Sequence, residues 1–255
     1  MKATSDRNLI WGYHPVFEAM QARRRRFQMI YVDGEKRSQR YRQLVAAAQN
    51  AGIICRDVPA RQITTMVNHE QHQGVIAKVS EYPFSSVADI LAMPTVQDRP
   101  HFVLLLDHVV DPQNFGAIAR TAYCTGIQGI ILSKKRSAPP SPAAIMASAG
   151  ALEHLRVAYV TNLVNTLKML KKNDIWIVGG EPFGAGELFE TDLSMSLALV
   201  IGGEEKGIRP LVKKQCDFLV AIPQVGVLNS LNASAAAAVM LYEAFRQGRT
   251  KGYAR

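Results

Sequence analysis

Residues 102–120 read FVLLLDHVVDPQNFGAIAR, an apolar run that passes directly into a polar turn and then into a segment of small residues. The five apolar residues 102–106 predict a strand that is buried on both faces. The Asp-Pro pair that follows predicts a turn entering a helix, because proline suits a first helical position. Asn114 and Arg120 are the strongly polar side chains of this helix. They indicate either a ligand site or a plain helix start, with Asn114 as the cap and Arg120 in a salt bridge.

Two later stretches repeat this pattern of an apolar strand followed by a polar loop. Residues 199–208 read LVIGGEEKGI, and residues 222–234 read IPQVGVLNSLNAS. Glycines let a backbone approach a ligand closely, and ligands of open parallel sheets bind at the carboxyl ends of the strands. A plain strand-to-helix connection, and a helix capped by Asn232 or Ser234, are the structural alternatives.

Strand-like and helix-like segments alternate through the whole chain, which predicts an α/β protein with a mainly parallel sheet in its C-terminal part. We expect two domains joined by a linker: an N-terminal α/β domain over 1–82, a proline-rich linker over 83–100 and a larger domain over 101–255. The strands predicted in the larger domain are 102–106, 129–132, 157–160, 175–178, 197–201 and 218–222, and the helices are 113–125, 141–152, 162–172, 208–215 and 232–247. In the N-terminal domain the predicted strands are 29–32, 53–55 and 74–79. One predicted helix has Pro15 at its first position, and two more cover 38–50 and 58–67.

The composition is that of an ordinary folded protein, with 255 residues of which 48% are hydrophobic. No apolar run is long enough to span a membrane, and the N-terminus has no apolar signal core, so we expect a cytoplasmic protein without a membrane partner. Three distant cysteines without a CxxC pair argue against a structural metal site or a disulfide framework. No P-loop, no HExxH and no GxSxG is present, and no GxGxxG follows the strand 102–106. The sequence therefore does not favour a nucleotidase, a metalloprotease, a serine hydrolase or a dinucleotide-binding protein.

The net charge of +9 is concentrated near the N-terminus, where residues 1–82 hold 13 Lys and Arg against 7 Asp and Glu. A basic face of this kind is typical of polyanion binding, although it is also compatible with a solvated surface. The four arginines that follow the first predicted helix cannot all lie on one helix face. The candidate RNA contacts are Arg7, Arg23, Arg24, Arg25 and Arg26, with Lys36, Arg37, Arg40 and Arg42 behind them.

Taken together, the three polar stretches resemble the three motifs of the SpoU class (TrmH-like) of SPOUT RNA 2′-O-ribose methyltransferases. The residues that carry the resemblance are Asn114, Gly116, Ala117, Ile118 and Arg120 in the first motif, Gly202, Glu204 and Gly207 in the second, and Ile222, Pro223, Gly226, Ser230, Leu231, Asn232 and Ser234 in the third. Residues 12–19 resemble the start of that class's L30e-like RNA-binding domain. Residues 148–155 resemble a segment of the 23S rRNA guanosine-2′-O-methyltransferase group. Gln224, Asn229 and Ala233 depart from the commoner residues of the third motif, which bears on substrate choice more than on reaction type.

The resemblance implies a small L30e-like domain, a SPOUT-type sheet with a trefoil knot, and a homodimer. It implies transfer of a methyl group from S-adenosylmethionine to the ribose 2′-O of a guanosine in 23S (large-subunit) rRNA, either free or in an assembly intermediate. Methylation of a tRNA nucleotide and a catalytically inactive RNA-binding relative are the alternatives. The implied catalytic residues are Arg120, Asn114, Glu204, Ser230 and Asn232, and the implied cofactor contacts are Gly202, Gly203, Ile222, Gly226 and Leu231. The resemblance implies that Arg120 activates the hydroxyl, either as a base or as a clamp that holds the phosphate and acts through its positive charge. The clamp fits arginine better, because its side chain rarely releases its proton.

Overall fold

The apolar run 102–106 forms part of a fully buried strand, β5 (Phe102–Asp107), near the middle of a parallel sheet in the computed structural model of the protein. The structure describes residues 8–35, 38–93, 101–183, 186–226 and 230–250. The chain divides into two compact units. One contains residues 1–83 together with 139–154, and the other contains 84–138 and 155–255.

The N-terminal unit contains the strands β1 (Leu9–Trp11), β2 (Phe27–Asp33), β3 (Cys55–Val58) and β4 (Val75–Val79), and its helices before residue 83 are α1 (Tyr13–Ala22), α2 (Gln39–Asn50) and α3 (Ala60–Val67). Within the part of the chain that is described, the four strands form one sheet with the order β1-β4-β2-β3. Strands β2 and β3 are parallel, and β4 pairs antiparallel with both β1 and β2. Ile63 and Ile76 are fully buried in a core that Met146 also contacts, so the segment 139–154 takes part in closing this unit.

The segment 139–154 forms two short helices, α6 (Pro142–Ala147) and α7 (Ala151–His154). The prediction of one continuous helix over 141–152 was wrong, because Ala149 and Gly150 both adopt left-handed backbone, with φ of 51° and 90°. A Cβ atom at Gly150 would lie 2.7 Å from the Cβ of Glu18. This close approach of α1 requires glycine, and the turn it forms breaks the helix.

Besides β5, the C-terminal unit contains the strands β6 (Gly129–Ser133), β7 (Arg156–Val160), β8 (Trp176–Gly180), β9 (Gly186–Glu187), β10 (Leu197–Gly202) and β11 (Phe218–Ala221). They form a sheet with the order β7-β6-β5-β10-β8-β11-β9, in which all the pairings are parallel among the residues described. Its helices are α4 (Val87–Leu91), α5 (Pro112–Cys124), α8 (Leu163–Lys171), α9 (Pro210–Lys213) and α10 (Ala233–Thr250). The α/β class and the parallel C-terminal sheet predicted from the sequence are thus confirmed, whereas the knot stays a prediction.

Buried aliphatic side chains hold this sheet in place. Val103, Leu105 and Val200 are fully buried and pack with Leu167 of α8 in one continuous apolar cluster. Burying each such side chain stabilises the fold by about 1.5–3 kcal/mol. This apolar core ends at the carboxyl edge of the sheet, where polar residues begin. No helix among the described residues is long and apolar enough to cross a membrane.

Candidate active site

The candidate site lies at the carboxyl edge of the C-terminal sheet, where two central strands end at the same level. Residues of β5 and β10 are paired in register up to the last pair, Gly202 with Asp107. The two loops that leave these strands therefore start side by side. As predicted from the sequence, the first and second polar stretches meet here.

The loop after β10 is a tight turn that only glycine permits. The backbone N–H of Gly203 donates to the carbonyl oxygen of Asp107 (2.9 Å), and that of Gly207 donates to the carbonyl oxygen of Gly203 (2.9 Å). A Cβ atom at Gly202 would lie 2.1 Å from the carbonyl carbon of Gly207. We call residues 203–207 the glycine turn. Its fold leaves Glu204, Glu205 and Lys206 exposed.

The carboxylate of Glu204 joins the three motifs into one cluster. Its Oε1 accepts a hydrogen bond from the side-chain amide of Asn114 on α5 and another from that of Asn232 (2.9 Å). Both amides donate to the same oxygen. The other oxygen, Oε2, receives no hydrogen bond from any described residue. One acceptor of a fixed carboxylate is therefore left for a ligand.

Both asparagines are held in place by helix caps. The alternative in which Asn114 caps α5 is wrong, because Asp111 is the cap and its Oδ2 accepts from the backbone N–H of Asn114 (3.0 Å). Asn232 caps α10, because its Oδ1 accepts from the backbone N–H (2.8 Å) and the hydroxyl (2.6 Å) of Ser234. The capping alternative is thus correct for Asn232, but its amide nitrogen remains directed at Glu204. Capping and a role in the cluster coexist in one side chain.

Two cavities share the glycine turn as a common wall. The first, of about 350 Å³, is lined by apolar side chains that include Ile201, Val220 and Met240, and by polar and charged residues such as Glu181 and Gln224. Four of the five predicted cofactor contacts line it, namely Gly202, Gly203, Ile222 and Leu231, and Ser230 lines it as well. Gly226 does not contribute to the wall of this cavity and is exposed. Asn229 lies outside the described residues.

The second cavity, of about 290 Å³, lies on the α5 side of the glycine turn, and both apolar and charged residues line it, the acidic ones being Asp111, Glu204 and Glu205. His108, Asp111, Asn114, Arg136 and Lys206 contribute to it. Burial, and next the positive charge of Arg209, lower the pKa of His108 below its usual value. His108 also adopts a left-handed backbone, with φ of 64°, which is uncommon for a residue other than glycine.

Sequence reasoning missed one residue that organises the site. The carboxylate of Asp107 is fully buried, and it accepts from the backbone N–H (2.9 Å) and the Nε–H (2.8 Å) of Arg209. Asp107 thereby fixes both ends of the glycine turn, since its carbonyl oxygen accepts from Gly203. Its position as the last residue of an apolar strand was the available signal, because a buried carboxylate needs a charged partner.

The structure does not bring Arg120 into this cluster within one chain. Its side chain lies exposed on α5 and lines neither cavity. It forms no hydrogen bond or ion pair with any described residue, so the salt-bridge alternative is not seen in this structure.

The arginines proposed as RNA contacts have different environments. Arg23 and Arg26 are exposed. Arg24 donates to the carbonyl oxygens of Glu153 (3.1 Å) and Pro83 (2.9 Å). Arg25 is a correction to the prediction: its Nε lies 2.9 Å from a carboxylate oxygen of Glu153, and both side chains are only 1% exposed, so it cannot reach RNA. Arg7 lies outside the described residues.

No group of three or more potential metal ligands occurs among the residues that the structure describes. The three cysteines are free, and burial raises the pKa of Cys216 to about 12. A thiol that stays protonated at neutral pH is a poor nucleophile.

Comparison with known proteins identifies the family to which this chain belongs. Residues 101–242 match the model of the SpoU rRNA methylase family, and residues 9–85 match that of the RNA 2′-O ribose methyltransferase substrate-binding domain. YacO of Bacillus subtilis, named for the TrmH family of tRNA/rRNA methyltransferases, is 37% identical over 94% of this chain and 96% of its own length. A Staphylococcus saprophyticus protein named for the same family is 39% identical over 94% of this chain and 95% of its own length.

A similar solved structure is the SpoU methyltransferase AviRb of Streptomyces viridochromogenes, crystallised with its cofactor AdoMet. It is 25% identical, with a TM-score of 0.79 over 97% of this chain and 91% of that one. The fold and these matches define an RNA methyltransferase of the SPOUT class. Within that class, the chain belongs to the SpoU rRNA methylase family.

Proposed function

We propose that the protein transfers the methyl group of S-adenosylmethionine to the ribose 2′-hydroxyl of a guanosine in large-subunit rRNA. The observation that carries this proposal is the Glu204 carboxylate, which Asn114 and Asn232 hold on the wall that two adjoining cavities share. Methyl transfer between two bound molecules needs two adjoining sites and a fixed polar group where they meet.

The first cavity suits S-adenosylmethionine. Its volume of about 350 Å³ lies within the usual range for small-molecule sites, and its wall combines apolar side chains with the backbone of Gly202 and Gly203. Aliphatic surface from Ile222 and Leu231 would cover an adenine ring, and backbone groups beside the glycines would hydrogen-bond its edge. When bound, this cofactor supplies a methyl group on a positively charged sulfur, which is a good leaving group.

Glu204 would receive the proton of the hydroxyl. This proton would pass to the free Oε2 of Glu204 as the ribose oxygen takes the methyl group, and the cofactor's sulfur would leave as a neutral thioether. The two amides on Oε1 hold the carboxylate in one orientation, so that no side-chain reorganisation is needed at that step. Ser230, on the wall of the first cavity, would hydrogen-bond one of the two ligands.

Arg120 would act through its permanent charge. A guanidinium beside the target phosphate stabilises negative charge developing on the ribose oxygen, and its pKa is too high for it to serve as a base. Because Arg120 lies outside both cavities of its own chain, we propose a homodimer in which one subunit's Arg120 serves the other's Glu204. Mixing inactive Arg120→Ala and Glu204→Gln proteins should then restore up to about a quarter of the activity, whereas a site within one chain would give none.

The N-terminal unit would hold RNA through its exposed basic residues. Exposed arginines are found in its loops, strands and helices: Arg23, Arg26, Arg40, Arg42, Arg56 and Arg61. Phosphate contacts of this kind give affinity that falls steeply with salt. The match of residues 9–85 to a substrate-binding domain supports this assignment. We place the protein in the cytoplasm, as the sequence analysis predicts.

The test is methyl transfer from labelled S-adenosylmethionine to unmodified large-subunit rRNA and, separately, to tRNA. Modified sites are mapped by their resistance to alkaline cleavage, since a 2′-O-methyl group blocks it. One new guanosine site in rRNA, lost with Arg120→Ala, is the expected result. Label in tRNA alone would overturn the substrate and keep the chemistry. No transfer to free rRNA but transfer to a precursor ribosomal particle would identify the assembly intermediate as the substrate, and no cofactor binding at all would leave an inactive RNA-binding relative.

A further inference from the structure

We infer that the second cavity is an anion site that holds a backbone phosphate of the target nucleotide, with Arg136 as its principal contact. This inference rests on the proposed function and names the part of the RNA that the cavity takes. It concerns a residue outside the three motifs, on the loop that follows β6.

Three carboxylates and two cations line this cavity. Asp111 caps α5 and Glu204 accepts from two amides through Oε1, whereas the exposed Glu205 forms no hydrogen bond or ion pair with any residue in the described ranges. The exposed side chains of Arg136 and Lys206 likewise form none with a described residue. Two unpaired cations that line one concave surface can both be directed at an anion.

The loop that carries Arg136 is built to hold one shape. The Ser133 hydroxyl donates to the carbonyl oxygen of Lys135 (2.7 Å) and contacts the Ser137 hydroxyl (3.0 Å). Between these anchors Arg136 adopts left-handed backbone, with φ of 56°. Strained backbone of this kind persists where surrounding contacts over-determine it, and it is concentrated at ligand sites.

A second loop with the same feature is tied to the first. The backbone N–H of Ala138 donates to the carbonyl oxygen of Val109 (2.8 Å), which joins the Arg136 loop to the loop after β5. That loop carries His108, also in left-handed backbone and also lining the cavity. Burial, and next the positive charge of Arg209, lower the pKa of this imidazole, which favours its uncharged form as a hydrogen-bonding group.

The placement of the cavity fits a phosphate next to the reacting ribose. The Glu204 side chain contributes to the walls of both cavities. A nucleotide whose phosphate lies against Arg136 can therefore present its ribose at the Glu204 cluster, facing the cofactor cavity. Arginine suits this task because its planar guanidinium donates two parallel hydrogen bonds to phosphate oxygens.

The experiment compares Arg136→Ala with Lys135→Ala. Lys135 is the adjacent exposed cation, which does not line the cavity, and its replacement removes the same charge. We expect Arg136→Ala to raise the KM for RNA about tenfold to a hundredfold, with cofactor affinity measured by calorimetry unchanged. Lys135→Ala should change neither by more than about twofold. Equal effects of both variants would show a general charge effect and overturn the site.

A substrate with one neutral linkage makes the assignment specific. RNA fragments carrying a methylphosphonate on the 5′ or the 3′ side of the mapped nucleotide remove one phosphate charge each. For one of the two fragments, Arg136→Ala should cause no further rise in KM, since the contact is already lost. Additive losses with both fragments would overturn the phosphate contact while the methyltransferase reading stands. If the wild-type protein binds S-adenosylmethionine but methylates no RNA, the proposed function fails, and the phosphate site fails with it.

Discussion

Replacing Glu204 by glutamine separates the two roles that its carboxylate can have. A glutamine Oε1 can still accept from the amides of Asn114 and Asn232, so the cluster keeps its hydrogen bonds. The free oxygen, however, becomes an NH₂ group, which donates and cannot take a proton. If Glu204 receives the hydroxyl proton, kcat should fall about 10²–10⁴-fold, the usual contribution of a general base. This corresponds to about 3–5 kcal/mol of transition-state stabilisation.

The assay is single-turnover methyl transfer at saturating RNA and cofactor, with cofactor affinity and melting temperature measured in parallel. Both of these should stay close to the wild-type values, because the exposed carboxylate contributes little to packing. Glu187→Gln, a change of the same charge at an exposed position on β9, serves as the control and should leave kcat unaltered. A Glu204→Gln enzyme with a kcat within about threefold of wild type would refute the proton-acceptor role. The carboxylate would then act only by holding the two asparagines.

Three further outcomes follow from the structure. Arg120→Ala should lower kcat about a hundredfold or more with cofactor affinity unchanged, and Arg120→Lys should recover part of that loss, as rapid-quench kinetics on both variants would show. Glu153→Ala should destabilise the protein by about 3–5 kcal/mol in urea unfolding, because it leaves Arg25 buried without its partner, whereas replacing both residues by methionine should restore most of that stability. Gly202→Ala should lower the free energy of unfolding by about 1–3 kcal/mol, because the new Cβ meets the backbone of the glycine turn. It should also weaken S-adenosylmethionine binding, measured by calorimetry, and unchanged binding would contradict the shape inferred for the first cavity.

The parallel sheet was predictable because its strands are continuous apolar runs bounded by glycine and polar residues. The predicted strands 102–106 and 197–201 are confirmed to within one residue. The first helix, for which Pro15 was the predicted first position, begins two residues earlier, at Tyr13. Residues Leu9–Trp11 form a strand that was not predicted, since a run this short gains its strand conformation from pairing with β4. Local patterns carry no information on such pairing.

The members of the Glu204 cluster could be named from the sequence, but their contacts could not. Asn114, Glu204 and Asn232 each follow a strand, and strand ends of a parallel sheet meet at one edge. That two amides share a single carboxylate oxygen depends on the capped starts of α5 and α10, which are tertiary features. Arg25 shows the same limit, because it looks identical to its neighbours in sequence. Only the distant Glu153 makes it a buried residue.

The return of residues 139–154 to the N-terminal unit sets an order of events during synthesis. The ribosome completes residues 1–83 long before it adds Glu153 and the helices α6 and α7. Until then Arg25 lacks its carboxylate and the core around Ile76 lacks Met146. The core of the nascent N-terminal unit therefore stays incomplete while β5, α5 and β6 are synthesised. A protein proposed to modify the ribosome thus has its RNA-binding unit finished only after a third of its methyltransferase unit has been translated.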